Sequence, residues 1–182
     1  MLFRMLSWRG ARMKLTILRG LPGSGKSKVA CDILASYAGV HHNPIAVSAD
    51  SYPGLYSEIG GRVRINPSML DKAHGSCFAN AIWGLERGVH VVVDNTNLST
   101  EEVIPYVSLA QAFRAKCEVV TLICPPSLAY ERQTHGVPEG AFDRMVKRFE
   151  SYKPLPHWAH LDWLSHHELC WIAGEYRLVE KD

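Results

Sequence analysis

The stretch RGLPGSGKS, at positions 19–27, constrains this chain more than any other part of its sequence. Gly20, Gly25, Lys26 and Ser27 fit the spacing G-x-x-x-x-G-K-[ST], in which the glycines let successive backbone N–H groups close around phosphate oxygens. The spacing therefore predicts a phosphate-binding loop.

The residues on either side distinguish a phosphate loop from an ordinary glycine-rich turn with a solvated lysine. Residues 13–18, MKLTIL, are mostly apolar and rich in β-formers, so they predict a strand. Residues 28–37 predict a helix with Val29, Ile33 and Leu34 on one side. Strand, glycine loop and helix is the order that a phosphate loop requires, so the context favours phosphate binding over the turn.

Each part of the loop has an expected role. The N-terminus of the helix adds the positive end of its dipole to the loop amides. Lys26 would bring a positive charge to the β- and γ-phosphates of a nucleotide, and the Ser27 hydroxyl would bind Mg²⁺. The residues expected to bind the nucleotide are Gly20, Leu21, Pro22, Gly23, Ser24, Gly25, Lys26, Ser27 and Lys28.

Composition excludes several classes of function. The 182 residues are 47% hydrophobic, which is enough for one well-packed domain and short for two. The formal net charge of +2 excludes a global basic field, so any contact with nucleic acid must be local. Five scattered cysteines without a C-x-x-C pair are typical of a reducing cytoplasm. No apolar run approaches the roughly 20 residues of a membrane span, so no membrane partner is expected.

Strand patterns alternate with helix patterns along the chain. NPIAVSAD (43–50) and VHVVVDNTNL (89–98) are patterns of buried strands, and their strands end in Asp50 and Asp94. This alternation predicts right-handed βαβ units. The expected fold is therefore α/β, with a three-layer parallel sheet and a site at the carboxyl ends of its strands.

Three segments are predicted. Residues 1–12 are expected to be an N-terminal arm outside the fold, either a targeting arm or a by-product of an upstream start codon, and the start of the first strand near Met13 favours the second. Residues 13–153 form the phosphate-loop domain, with a helical lid at about 126–152. Residues 154–182 form an appendage packed on the domain, and ELCWIAGEYRLVE within it predicts a hairpin. Three tryptophans of this last segment could stack on bases, but packing against the core is favoured: Trp158, Trp163 and Trp171.

The two acids at the strand ends suit two different roles. Asp94 could orient Mg²⁺ directly or through water, or hold the loop serine or lysine, so Ser27 and Asp94 are the expected metal residues. Asp50 could take the proton from an attacking hydroxyl. For both acids the alternative is a carboxylate that begins a turn after a strand, and that alternative is stronger for Asp50.

The segment after Pro126 supplies positive charges near a predicted hinge. They are Arg132, Arg144, Lys147 and Arg148. Each alone is more often a solvated helix charge, but together they favour a lid that brings at least one arginine onto the phosphates. His135 could serve there too, although a single loop histidine is more often without a role.

Four stretches together resemble the polynucleotide-kinase-like branch of P-loop kinases, in the AAA and zeta-toxin-like group: RGLPGSGKS, SAD, DNTNL and the lid with HGVP. The resemblance covers about residues 15–152. It implies the P-loop kinase fold, a three-layer parallel sheet with a small helical lid. It also implies that Lys26 and Ser27 bind ATP and Mg²⁺. Asp50 would be the general base, and Arg132 would clamp phosphates from the lid.

The acceptor side of that pattern is altered. Members of this branch phosphorylate 5′-hydroxyl ends of nucleic acid, and some phage relatives phosphorylate hydroxymethylated pyrimidines within DNA. In the end-phosphorylating members an arginine follows the base aspartate by three residues, and Pro53 stands there in this chain. His135 stands in place of a second lid arginine. The departure favours a different hydroxyl acceptor, including a modified base.

The resemblance thus implies an ATP-dependent kinase acting on a polynucleotide hydroxyl, either a 5′ end or, slightly favoured by Pro53, a hydroxymethylated pyrimidine in DNA. Two alternatives stay open: a nucleoside or sugar kinase, and an ATP-binding switch or adaptor without an acceptor. Asp50 speaks against the switch, because a switch needs a positioned water more than a general base. Nucleic acid is the expected partner, with a small molecule second. The expected compartment is the cytoplasm, that of a host cell if the chain is phage-encoded.

Overall fold

The computed structural model describes residues 13–37 and 43–179, so the predicted arm at 1–12 lies outside the described residues. The strands are β1 (Lys14–Arg19), β2 (Ile45–Val47), β3 (Tyr56–Ile59), β4 (Arg62–Ile65), β5 (Val91–Asp94), β6 (Lys116–Ile123), β7 (Leu164–Ile172) and β8 (Glu175–Val179). The helices are α1 (Lys26–Ser36), α2 (Leu70–Glu86), α3 (Thr100–Ala112), α4 (Pro126–Arg132) and α5 (Glu139–Glu150).

The main sheet has the order β2-β5-β1-β6-β7-β8. Its first five members run parallel, and β8 runs antiparallel to β7. β1 lies in the middle, where Leu15 pairs with Val91 on one side and Lys14 pairs with Lys116 on the other. The predicted α/β fold with a parallel sheet is therefore confirmed.

Helices cover both faces of this sheet, because alternate side chains of each central strand point to opposite faces. On one face Ile17 and Val93 pack with α2 and α3. On the other face Leu18 and Val92 pack with α1 through Val29. Strands buried on both sides explain the unbroken β-branched run in β5, since neither face is available to polar residues.

The segment 154–182, predicted as an appendage packed on the domain, contributes two strands to the main sheet itself. β7 pairs in parallel with β6, and β7 and β8 form the predicted hairpin. Trp158 is 4% exposed and stacks on His166 with ring centroids 5.9 Å apart, so its role is core packing, as favoured from the sequence.

Two smaller features frame the carboxyl edge of the sheet. The antiparallel pair β3–β4 leaves the sheet as a separate hairpin between β2 and α2. The lid consists of α4, α5 and the loop between them, residues 133–138. Within residues 13–37 and 43–179, no helix combines the length and the apolar character needed to traverse a bilayer.

Candidate active site

The candidate site is a cavity of about 1160 Å³ at the carboxyl edge of the parallel strands. Its lining brings together the loop residues 22–28, Asp50, Asp94 and Arg132, which come from four separate parts of the chain. Gly20 and Leu21 are not part of the cavity wall. They lie beneath it, and their carbonyls support the loop from below.

Backbone bonds hold the phosphate loop in shape. The Gly20 N–H donates to the Thr96 carbonyl at 2.9 Å, and the Ser24 N–H donates to the Leu21 carbonyl at 3.1 Å. Gly23 has a φ of 78°, and a Cβ there would lie 2.1 Å from the Ala129 carbonyl oxygen. Gly23 is therefore required twice, for the turn and for the close approach of α4 to the loop.

Lys26 is buried at the base of the cavity. Its ammonium donates to the carbonyls of Gly20 at 3.1 Å and Leu21 at 2.9 Å. Burial lowers the pKa of Lys26 to about 8, and the negative charges of Asp94 and Asp50 oppose that shift. The charges of both predicted carboxylates therefore act on the Lys26 ammonium, Asp94 more strongly than Asp50.

Asp94 ends β5 and shares a hydrogen bond with the Ser27 side chain. Burial raises the pKa of Asp94, while the Ser27 bond and the Lys26 charge oppose that shift. The two predicted metal residues thus place a hydroxyl and a carboxylate oxygen side by side. Oxygen ligands of this kind suit Mg²⁺, so the donor set fits that ion.

Asp50 lies in a single 3₁₀ turn, Ala49–Ser51, directly after β2. The Ala49 N–H donates to the Asn95 side-chain oxygen at 2.9 Å, which fixes the turn to the end of β5. The Asp50 N–H donates to the Ser48 hydroxyl at 3.2 Å. The backbone of Asp50 is thus held firmly, while its side chain is 48% exposed and faces the cavity.

Two aromatic side chains contact the Asp50 carboxylate. The Tyr56 hydroxyl donates to Oδ1 at 2.6 Å, and the His135 Nε2 lies 3.5 Å from Oδ2. The Tyr56 and His135 rings stack with centroids 4.8 Å apart. Burial and the bond to Asp50 raise the pKa of Tyr56, so its hydroxyl stays a donor. His135 is a candidate from the sequence, but no sequence pattern indicates its contact with Tyr56 and Asp50.

Arg132, the last residue of α4, lines the cavity and packs against the C-terminal hairpin of β7 and β8. Its guanidinium is 4.4 Å from the centre of the Trp171 ring. Trp171 in turn contacts Tyr176 edge to face, and the Tyr176 hydroxyl donates to the Ser24 carbonyl in the phosphate loop. Trp171 and Tyr176 both line the cavity and form one of its walls. Their pairing across the β7–β8 hairpin is the feature from which this wall could have been predicted.

Arg19 opens the motif but does not face the cavity. It is 3% exposed, and its guanidinium donates to the carbonyls of Asn97 and Phe149. It lies between the rings of Phe149, at 4.4 Å, and Tyr152, at 3.7 Å. Burial lowers the pKa of Arg19 to about 10. This side chain, which sequence reasoning missed, ties the end of α5 to the strand that carries the phosphate loop.

The remaining lid charges divide between the cavity and the surface. Arg144 and Arg148 line the cavity, and Lys147 does not. Arg148 also forms an ion pair with Glu102 at the start of α3. Glu102 accepts a hydrogen bond from the Leu98 N–H at 2.6 Å, so this pair links α5 to the loop after β5.

Residues 15–152 match the family model described as an AAA domain. The chain belongs to this family. The match covers the stretch over which the motifs resemble P-loop kinases, and that resemblance is confirmed. Among curated proteins, the human NEDD4-binding protein 2 is 31% identical over 150 residues, which cover 78% of this chain. The matched part is 8% of the human protein's length, so this chain corresponds to a small part of that relative.

Solved structures share the fold. One is a chain in the structure of the Pnkp1/Rnl/Hen1 RNA repair complex, with a TM-score of 0.59, 22% identity, and coverage of 78% of this chain and 45% of that one. Another is the Mycobacterium tuberculosis APS kinase CysC in complex with AMPPNP and APS, with a TM-score of 0.53, 16% identity, and coverage of 94% and 86%. The AAA domain of this chain therefore has the P-loop kinase fold.

Proposed function

We propose that this chain is an ATP-dependent kinase that transfers the γ-phosphate to a hydroxyl group of a polynucleotide. One observation carries the proposal. Asp50 faces the same cavity as the Lys26, Ser27 and Asp94 cluster, and its charge reaches the Lys26 ammonium. A carboxylate that faces a phosphate loop can act as the general base in phosphoryl transfer, because it can accept the proton of the attacking hydroxyl.

The side chains divide the reaction between them. The loop amides and Lys26 hold the β- and γ-phosphates, and Arg132 adds a charge from the lid. Asp50 takes the proton as the acceptor oxygen forms its bond to the γ-phosphorus, and the bond from that phosphorus to the bridging oxygen of ADP breaks. Ser27 and Asp94 would hold Mg²⁺, which supplies positive charge to the phosphates.

The acceptor is expected to present its hydroxyl beside an aromatic surface. Tyr56 and His135 offer stacked rings next to Asp50, whereas Pro53 is exposed and has no donor for an acceptor phosphate. Aromatic rings can stack on a nucleobase that has flipped out of the duplex. These features support a hydroxymethylated pyrimidine in DNA over a plain 5′ end. The neighbour in an RNA repair complex supports a polynucleotide in general.

A small-molecule kinase is the second candidate. The lid loop lies against the β3–β4 hairpin beside Asp50, because Gly136 approaches the Val63 carbonyl oxygen closely enough that a Cβ would lie 2.4 Å away. A lid loop packed beside Asp50 leaves less room for a polymer, which favours a small acceptor, and the APS kinase neighbour was solved with one. The Tyr56 bond positions a carboxylate beside the cavity, and a switch or adaptor without an acceptor does not require such a group.

The experiment is a transfer assay with γ-labelled ATP and Mg²⁺. The acceptors are 5′-hydroxyl DNA, 5′-hydroxyl RNA, duplex DNA with hydroxymethylated pyrimidines, and free nucleosides or sugars. We expect the strongest labelling on hydroxymethylated DNA. Labelling of nucleosides or sugars alone would establish the second candidate, and hydrolysis of ATP without labelling of any acceptor would contradict both.

A further inference from the structure

Side chains from two segments outside the main sheet contact the carboxylate of Asp50. Tyr56 belongs to the β3–β4 hairpin and binds Oδ1 at 2.6 Å. His135 belongs to the lid loop and lies 3.5 Å from Oδ2. Because the side chain of Asp50 is 48% exposed, these two contacts decide which way its oxygens point.

The lid loop reaches the hairpin through a glycine. Gly136 has a φ of 66°, and a Cβ there would lie 2.4 Å from the Val63 carbonyl oxygen of β4. Any other residue would have to move the loop or the hairpin, since the obstacle is backbone. The Gln133 side chain braces the loop by bonding both the N–H and the carbonyl of Val137, at 2.9 and 3.2 Å.

We propose that docking of the lid loop on the β3–β4 hairpin assembles the catalytic base, with Tyr56 and His135 as positioning residues for Asp50. This inference rests on the proposed function of Asp50. The Tyr56 bond to Oδ1 is short, whereas the His135 contact with Oδ2 is longer, so Oδ2 keeps a lone pair that can accept the proton. The acceptor oxygen then bonds to the γ-phosphorus, the bond to the bridging oxygen breaks, and ADP leaves.

The assembly makes transfer, rather than nucleotide binding, depend on the docked loop. Among the described residues, the hydrogen-bond partners of Lys26 and Ser27 are the Gly20 and Leu21 carbonyls and the Asp94 side chain, and none of these belongs to the hairpin. Weakening the contact between lid loop and hairpin should therefore lower kcat for transfer and leave the Kd for ATP unchanged. A loop that only bound the acceptor would change KM instead.

The sharpest test compares two glycines with similar positive φ values. Gly136→Ala adds a Cβ that collides with the Val63 carbonyl, whereas Gly60→Ala, at a φ of 60° in the same hairpin, meets nothing within 4 Å. Both variants carry the same cost of positive φ. We expect Gly136→Ala to lower kcat about ten-fold or more, with the Kd for ATP within two-fold of wild type. Gly60→Ala should change neither, and equal kcat values for the two variants would overturn the proposal.

Side-chain variants test the two positioning residues separately. Tyr56→Phe keeps the ring stacked on His135 and loses the bond to Oδ1, so we expect kcat to fall about ten-fold with the acceptor KM within two-fold. His135→Ala should also lower kcat, but it removes one ring of the aromatic surface, so the constancy of the acceptor KM is tested with Tyr56→Phe. His135→Gln should restore part of the lost kcat, because an amide N–H can donate to Oδ2. A change in KM alone, or wild-type kcat in both Tyr56→Phe and His135→Ala, would overturn the proposal.

Asp50→Asn, measured beside these variants, separates the inference from the function on which it rests. If Asp50→Asn transfers at the wild-type rate, the proposed role of Asp50 fails. If Asp50→Asn loses transfer while Gly136→Ala, Tyr56→Phe and His135→Ala keep it, only the inference fails. Thermal unfolding of each variant shows whether a loss of rate reflects a loss of fold.

Discussion

The two halves of the cavity are built in different ways. In the donor half, Lys26 is 8% exposed, and backbone carbonyls of its own loop bind it. In the acceptor half, Asp50 is about half exposed, and side chains from the hairpin and the lid loop bind its carboxylate. The phosphate loop alone therefore organises the donor half, whereas the acceptor half forms only when the β3–β4 hairpin and the lid loop pack together.

This difference explains why the donor half was easier to predict than its counterpart. All its loop residues are consecutive, so their spacing alone indicates phosphate binding. The acceptor half joins positions 50, 56 and 135, which are brought together only by the folded chain. The variants below probe whether the two halves contribute as separately as they are built.

The largest effect is expected in the donor half. Lys26→Ala should reduce transfer below detection, because the loop loses the charge that stabilises the transferring phosphate. The measurement is labelling of the best acceptor with γ-labelled ATP. Lys72→Ala, on the exposed side of α2, is the matched control for removing a lysine. Unchanged turnover in Lys26→Ala would contradict the phosphate-loop assignment.

The acceptor half should give the next largest effect. Asp50→Asn keeps the shape of the side chain but cannot take a proton, and loss of a general base costs about 10² to 10⁴ in rate. ATP affinity, measured by calorimetry, should stay at the wild-type value, since Asp50 belongs to the other half of the cavity. If ATP binding is lost instead, Asp50 belongs to the metal site and the division between the halves is wrong.

Burial of Lys26 should also make stability depend on pH. The pKa of Lys26 is about 8 in the folded protein, below its ordinary value of 10.5. Between these values the unfolded chain binds more protons, so the free energy of unfolding should rise with pH from about 8 to 10.5, by up to about 3 kcal/mol. Urea unfolding at pH 8 and pH 10 measures this rise. Lys26→Met should lack it, and an equal rise in both proteins would assign it to other groups.

A smaller effect is expected at Pro53, which is exposed beside the acceptor half. Pro53→Arg would supply a donor for an acceptor phosphate, and a charge-assisted contact of about 1.5 to 3 kcal/mol corresponds to roughly ten- to a hundred-fold in binding. The KM for a 5′-hydroxyl oligonucleotide should fall accordingly. Pro53→Gln separates the new charge from the loss of proline. The same KM in both variants would contradict a role for charge here.

The sequence predicts what local patterns encode. The β-branched run in β5 and the alternation of strands and helices are local, so they indicate the parallel sheet directly. The position of Asp50 at a strand end also follows from its sequence neighbours. By contrast, the clamp of Arg19 between Phe149 and Tyr152 joins residues 130 or more positions apart, and no periodicity reports it. The wall formed by Trp171 and Tyr176 depends on a strand pairing in the same way.

The central place of β1 in the sheet has a consequence for synthesis of the chain. Leu15 pairs with Val91, and Lys14 pairs with Lys116, so β1 is synthesised about 75 and 100 residues before the strands that pair with it. Until β6 is complete at Ile123, at least one side of this apolar strand has no neighbour. A nascent or truncated chain that ends before Ile123 therefore exposes an unpaired edge of β1 that can aggregate, and chaperones would be needed most before β6 is complete.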